Sequence, residues 1–128
     1  MIKDITGLED IQLFVDEFYG KVREDDLIGP VFADVIADWQ PHLEKMYAFW
    51  NAVLFGEPGF KGNPFAKHAP LPIAGEHFGR WLELFAETID EHFIGSIAEQ
   101  AKQKAGLMAA MFMNKLDRMR NGSSHVIV

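Results

Sequence analysis

Hydrophobic residues recur along this chain at helical spacing in several separate stretches, and nowhere do they alternate as they would along a half-buried strand. Between about residues 8 and 25, Ile11, Phe14, Val15, Phe18, Tyr19 and Val22 fall at offsets of 0, 3, 4, 7, 8 and 11. That is the period of one buried helix face, sustained for three turns. Tyr19 lies at the edge of the stripe, where a phenol keeps its ring buried and its hydroxyl on something polar. In the following LIGPVF, Gly29 and Pro30 break the helix and Phe32 is expected to point back inward. A short helical turn fits Ala33 to Ile36.

The stretch WQPHLEKMYAFW predicts the next helix. At about 100° per residue, Trp39, His42, Leu43, Met46, Phe49, Trp50 and Val53 share one apolar arc. Gln40, Pro41, Glu44, Ala48 and Asn51 fall opposite. Asp38 suits the cap, Pro41 the first turn, and Gly56 the stop. His42 is thus a histidine on an apolar face, and two readings stay open for it: a core side chain satisfied by one hydrogen bond, or a group facing a ligand.

Residues 56 to 72, GEPGFKGNPFAKHAPLP, are different in kind. Three glycines and four prolines in this stretch forbid a long helix, so at most one turn fits, around Pro64 to His68. From Gly75 the helical period resumes with Phe78, Trp81, Leu82, Phe85, Ile89 and Phe93. A last helix is expected from about Ile97 to Met119, with Ala101, Ala105, Met108, Met111, Phe112 and Leu116 inward, followed by a frayed tail over 120–128. The fold class is therefore all-α, in one domain spanning residues 1–128.

Composition narrows the function. A net charge of −7 argues against a nucleic-acid surface, which needs clustered cations to neutralise phosphates. The absence of cysteine excludes disulfides, thiolate-bound zinc and thiol catalysis. The opening MIKDITGLED has no apolar signal core, and the longest apolar run, AGLMAAMFM, is about half of a bilayer span, so a cytoplasmic location without membrane association is expected.

Against this plain background the 17-residue Gly/Pro connection stands out, because helices in small domains are usually joined by about 2–8 residues. It carries one histidine, His68. Neutral imidazole can coordinate a metal through Nε2, while Tyr O–H and Trp N–H are the side-chain donors suited to an apolar cavity. His68, His42, Tyr19 and Trp81 together form the inventory of a haem pocket, and the many aromatic side chains would line it.

FYGKVREDDLIGPVF, WQPH, the FW at 49 and 50, FKGNPFAKH followed by LP, and HFGRWLELF together resemble the group III truncated haemoglobins, over roughly residues 8 to 93. The C-terminal helix is similar only in being helical and apolar. The resemblance implies a shortened globin, a two-over-two helical sandwich whose proximal helix has shrunk to a turn within a long loop. It implies haem b (iron protoporphyrin IX) with His68 as the proximal, metal-ligating residue. Tyr19 and Trp81 would be distal donors, His42 would face the haem as a third donor or a gate, and Phe18, Phe32, Met46, Phe49 and Trp50 would line the cavity. Lys45, Lys67 and Arg80 are candidates for the propionates.

The resemblance further implies reversible binding of O₂, CO and NO at a five-coordinate iron. Several roles remain open at this level: oxygen storage or transport, nitric oxide dioxygenation or peroxide reduction with a separate reductase, or a haemless or haem-sensing helical module.

Overall fold

The described chain is built from α1 (Leu8–Glu24), α2 (Gly29–Val35), α3 (Trp39–Phe55), α4 (Gly75–His92) and α5 (Ser96–Val126). The computed structural model describes residues 2–60 and 75–126, the last eight of these by their backbone alone. α1 packs on both α3 and α4, and α5 packs on α4 and, less extensively, on α3. The result is the expected two-over-two sandwich.

α1 buries the six residues its period predicts, Ile11 through Val22. Its first turn carries Glu9 and Asp10 and its last Lys21 and Arg23, each end complementing the helix dipole. The corner after α1 is organised by Asp25. Its carboxylate accepts from the Leu27 and Ile28 amides at 3.1 and 3.0 Å and from Arg80 Nε on α4 at 2.6 Å. Gly29 opens α2 pressed against the end of α1: a Cβ there would sit 3.0 Å from the carbonyl oxygens of Val22 and Arg23. Pro30, expected only as a breaker, lies in the first turn of α2, where its missing N–H has no helical partner to lose. The helical turn therefore starts at Gly29, four residues before the sequence pattern places it.

α3 begins and ends as its local chemistry dictates. Asp38 accepts from the Gln40 amide at 3.3 Å, and Gly56 closes the helix at φ 68°, its N–H on Ala52 O at 2.9 Å. α5 departs more from expectation. Its inward stripe is Ala98, Ala101, Ala105, Ala109, Phe112 and Leu116, and Met111 is 47 % exposed rather than inward. Six positions beyond Ala105, Met111 is turned about 240° away from that face. The helical backbone also continues past Met119 to Val126.

The core centres on Phe14, which meets Trp50 and Phe85 edge-on, each with ring centroids 5.8 Å apart. Trp50 and Trp81 each stack nearly parallel on the same neighbour, Phe85, at 5.0 and 5.7 Å. Such pairs contribute about 0.5–1.5 kcal/mol beyond their buried area. A second, smaller cluster joins Phe78 of α4 to Ala109, Phe112 and Leu116 of α5, with half-buried Leu82 and Met108 touching both clusters.

The segment before α1 is clasped to the start of α5. Asp4 accepts from the amides of Ile97 and Ala98 at 3.0 and 2.8 Å, supplying the cap that α5 lacks locally. Gly95, at φ 141°, passes so close that a Cβ would come 2.4 Å from Asp4 Cγ. Burial opposes the Asp4 charge, yet the amides of Ile97, Ala98 and Ile5 and the nearby Lys3 outweigh it and hold the carboxyl below its usual range.

Candidate functional site

Tyr19 and His42 come together on facing helices. Their rings meet edge-on at 4.9 Å, α1 supplying the phenol and α3 the imidazole. Tyr19 also touches Phe18 at 4.8 Å, Trp39 at 5.8 Å and Phe32 at 6.1 Å. It is 6 % exposed, and burial pushes its phenol well above the usual range, so it stays protonated and a donor at any ordinary pH. His42 is half-buried, with its Nε2 shielded from solvent.

Trp81 joins this group through Phe18, whose ring it meets edge-on at 5.4 Å. Phe18, Phe49 and Trp50 are buried, whereas Phe32, Met46 and Trp81 are half-buried against the core. Leu43 and Val53 of α3, Leu82 of α4 and Met108 of α5 share that half-buried state. Four helices thus leave large apolar side chains incompletely covered at the edge of the core. A flat apolar group against them would extend their burial, and the buried Tyr19 phenol and half-buried His42 imidazole give it polar company, so the residues present fit a haem.

The basic candidates differ from one another. Lys45 is exposed on α3. Arg80 has its Nε on Asp25, whose side chain is 6 % exposed, and its Nη1 3.8 Å from Glu83. Burial works against the Asp25 charge, but the Ile28 amide and Arg80 outweigh it and keep the carboxyl ionised. His68 and Lys67 lie outside the described residues.

A profile of the bacterial-like globins matches residues 2–116. The chain belongs to that family, in its group III truncated haemoglobin branch. It is 34 % identical over 113 residues to the group 3 truncated haemoglobin ctb of Campylobacter jejuni, covering 84 % of this chain and 89 % of that one. It is 28 % identical over 120 residues to the group 2 truncated haemoglobin YjbI of Bacillus subtilis, covering 89 % of each. Its fold superposes on the crystal structure of a group III truncated haemoglobin from Campylobacter jejuni with a TM-score of 0.83, at 32 % identity over 91 % of this chain and 95 % of the other. A group II truncated haemoglobin mutant from Bacillus anthracis gives a TM-score of 0.72 at 26 % identity, over 85 % of each chain.

Sequence reading missed a second feature of this truncated globin, which Tyr19 also lines. Between α1 and α3 runs a groove of about 160 Å³, lined by Asp16, Tyr19, Arg23, Trp39, Leu43 and Tyr47, among others. Arg23 lies over the Trp39 ring at 4.9 Å, and the Tyr47 hydroxyl donates a short hydrogen bond to Asp16. Burial, and then the Asp16 carboxylate, push the Tyr47 phenol up to about 12. Trp39 and Tyr47 stand eight residues apart on the helix α3, the one spacing that could have signalled a shared face.

Proposed function

We propose that this truncated haemoglobin reversibly binds O₂ and the other diatomic ligands CO and NO. His68 is its proximal ligand, Tyr19 and Trp81 are distal donors, and His42 is a third donor or a gate. The observation that supports this most directly is the buried Tyr19 phenol in edge contact with His42 within a ring-lined wall, in a chain of globin ancestry. The haem would supply the iron at which such gases are held. The protein's part is to keep the pocket dry and to aim donors at a ligand whose outer atom carries negative charge.

Tyr19 and Trp81 are suited to that part because each has its ring fixed by neighbours, so little freedom is lost when the O–H or N–H meets a ligand. A hydrogen bond to a charged partner contributes about 1.5–3 kcal/mol, which corresponds to a retention gain of roughly 10- to 10²-fold per donor. Phe18, Phe32, Met46, Phe49 and Trp50 exclude water. Lys45 and Lys67 are the cations we place at the propionates; Arg80 is the weakest of the three candidates because Asp25 already neutralises it.

The deciding experiment is the visible spectrum of the purified protein in ferric, ferrous and CO-bound forms. A Soret band that shifts on adding CO is expected, and His68→Ala is expected to lose it or to need added imidazole to restore it. A protein purified without any Soret band, unable to take up added haem, would overturn the reading. No helix of the described residues is long and apolar enough to cross a membrane.

A further inference from the structure

We infer that the groove between α1 and α3 binds an extended zwitterion of the ω-amino acid class, its carboxylate on Arg23 and its ammonium on Asp16. Such a ligand would bind whether or not the chain carries haem, so the site stands apart from the function proposed above.

Two cross-helix pairs frame the groove. In one, the Tyr47 hydroxyl of α3 donates to the Asp16 carboxylate of α1; in the other, the Arg23 guanidinium of α1 lies over the Trp39 ring of α3 at 4.9 Å. Asp16 and Arg23 are seven positions apart on α1, and Trp39 and Tyr47 are eight apart on α3. Those intervals correspond to about 10–12 Å of helix rise, so the pairs mark two separate ends. Gly20 and Leu43 come between them in sequence and also line the groove. A Cβ at Gly20 would meet no atom within 4 Å, and Leu43 is half-buried, which leaves room over an apolar surface between the charged ends.

Both charges are available to a ligand. Among the described residues Lys21, Arg80 and Lys102 are committed to carboxylates, whereas neither Asp16 nor Arg23 is in an ion pair. Tyr47 engages only Oδ1 of Asp16, and a carboxylate has further acceptor positions on both oxygens. A guanidinium laid on a ring keeps its N–H edge free to fork onto a carboxylate. Glu44, held by Gln40 at 2.9 Å, adds negative charge near the Tyr47 hydroxyl, and the Tyr47 ring itself attracts an ammonium.

This arrangement selects against simpler ligands. A plain anion that meets Arg23 also meets Asp16, in a chain of net charge −7, and a plain amine that meets Asp16 also meets Arg23. An α-amino acid has both charges on one carbon and reaches a single end. A straight chain of about four methylenes between amine and carboxylate extends roughly 6 Å at about 1.5 Å per bond. A charge-assisted bond of about 2.8 Å at each end brings the total close to the interval between the pairs. A volume of about 160 Å³ accommodates such a molecule.

The test titrates 5-aminopentanoate into the purified full chain and follows backbone amide shifts by NMR, with pentanoate, pentylamine and glycine as comparisons. Because both charged groups are exposed, a Kd of about 1 mM is expected, with the shifts centred on Tyr19, Gly20 and Leu43. Pentanoate, pentylamine and glycine should each bind about 10-fold more weakly or not at all. Arg23→Gln should erase the advantage of 5-aminopentanoate over pentylamine and keep its advantage over pentanoate. Asp16→Asn, which still offers Tyr47 an acceptor, should do the converse.

That crossed pattern is a readout which a general loosening of the groove would not produce. Gly20→Leu places a side chain in the open middle and should weaken all the ligands together. Glu17→Gln removes one negative charge from α1 outside the groove and should change nothing. The site is wrong if 5-aminopentanoate gives no saturable shift in the millimolar range, if pentylamine or pentanoate binds as tightly, or if Arg23→Gln and Asp16→Asn weaken every ligand alike. Should one of those two variants fail to give a native amide spectrum, the other decides by its own half of the pattern.

Discussion

Two regions of the molecule handle polar atoms in opposite ways. At the clasp before α1, every acidic oxygen that matters ends on a donor. Asp4 accepts from three amides, and Asp10 Oδ2 takes Lys3 Nζ at 2.7 Å together with the Thr6 amide and hydroxyl at 2.9 Å each. Along the wall formed by α1, α3 and α4, the rings of Tyr19 and Trp81 are packed instead among Phe18, Phe32, Phe85 and Trp39. Polar groups saturated by their own chain fix geometry. Polar groups held in apolar company gain most when something else arrives, because a donor in a dry site interacts more strongly than one in water.

Substitutions should reveal the contrast as a split between lost stability and altered ligand kinetics. The largest effect is expected from Phe85→Ala, at the centre of the wall's inner layer: the ring is 1 % exposed and touches Phe14, Phe18, Trp50 and Trp81. Urea unfolding should show a loss of about 4 kcal/mol, the usual cost of a buried phenylalanine cavity. Next is Gly95→Ala in the clasp, where a positive φ and the overlap with Asp4 together should remove about 2–3 kcal/mol without changing the CO spectrum. A change below about 0.5 kcal/mol would show that the clasp yields freely, and the contrast would weaken.

Tyr19→Phe and Trp81→Phe should do the reverse. Their unfolding midpoints are expected to stay near wild type, while O₂ release measured by stopped flow accelerates roughly 10- to 10²-fold and CO release changes far less. Because both donors address one ligand, the double variant should fall short of the product of the two. Equal acceleration for O₂ and CO would mean that cavity size, not hydrogen bonding, distinguishes the wall. The smallest effect is expected from Asp4→Asn, about 1 kcal/mol for the weakened cap. The Asp4 carboxyl is held below its ordinary value of 3.8, so its contribution is complete above that value and fades as pH falls through the lowered one. Wild type should therefore lose more stability than Asp4→Asn in an acid titration below about pH 4.

What could be read in advance followed the range of the interactions. α3 was legible at both ends because Asp38 and Gly56 act on their own neighbours. The stripe of α1 was legible because Phe and Ile mark it strongly. α5 was misread at Met111 because its true stripe is mostly alanine, which is small enough to pack tightly and too weakly hydrophobic to outshine an exposed methionine. The site divides in the same way. Residue type and helical face brought Tyr19, His42 and Trp81 to notice, and the fold sets Tyr19 against His42 and links Trp81 to them through Phe18. The Arg80–Asp25 pair spans 55 positions and the Tyr47–Asp16 bond 31, and no local pattern encodes either.

The Asp4 cap on α5 also bears on the order in which the molecule assembles. The bonds to Ile97 and Ala98 close a loop across 93 and 94 positions, so residue 4 leaves the ribosome long before its partners exist. Closing so long a loop carries a large entropic cost that local helix contacts do not share, which places this contact after the folding barrier. Substitutions at Asp4 or Gly95 then act mainly on how fast the native state opens, leaving the rate at which it forms nearly untouched. Two hydrogen bonds from one carboxylate thus serve as a latch on the lifetime of the folded chain.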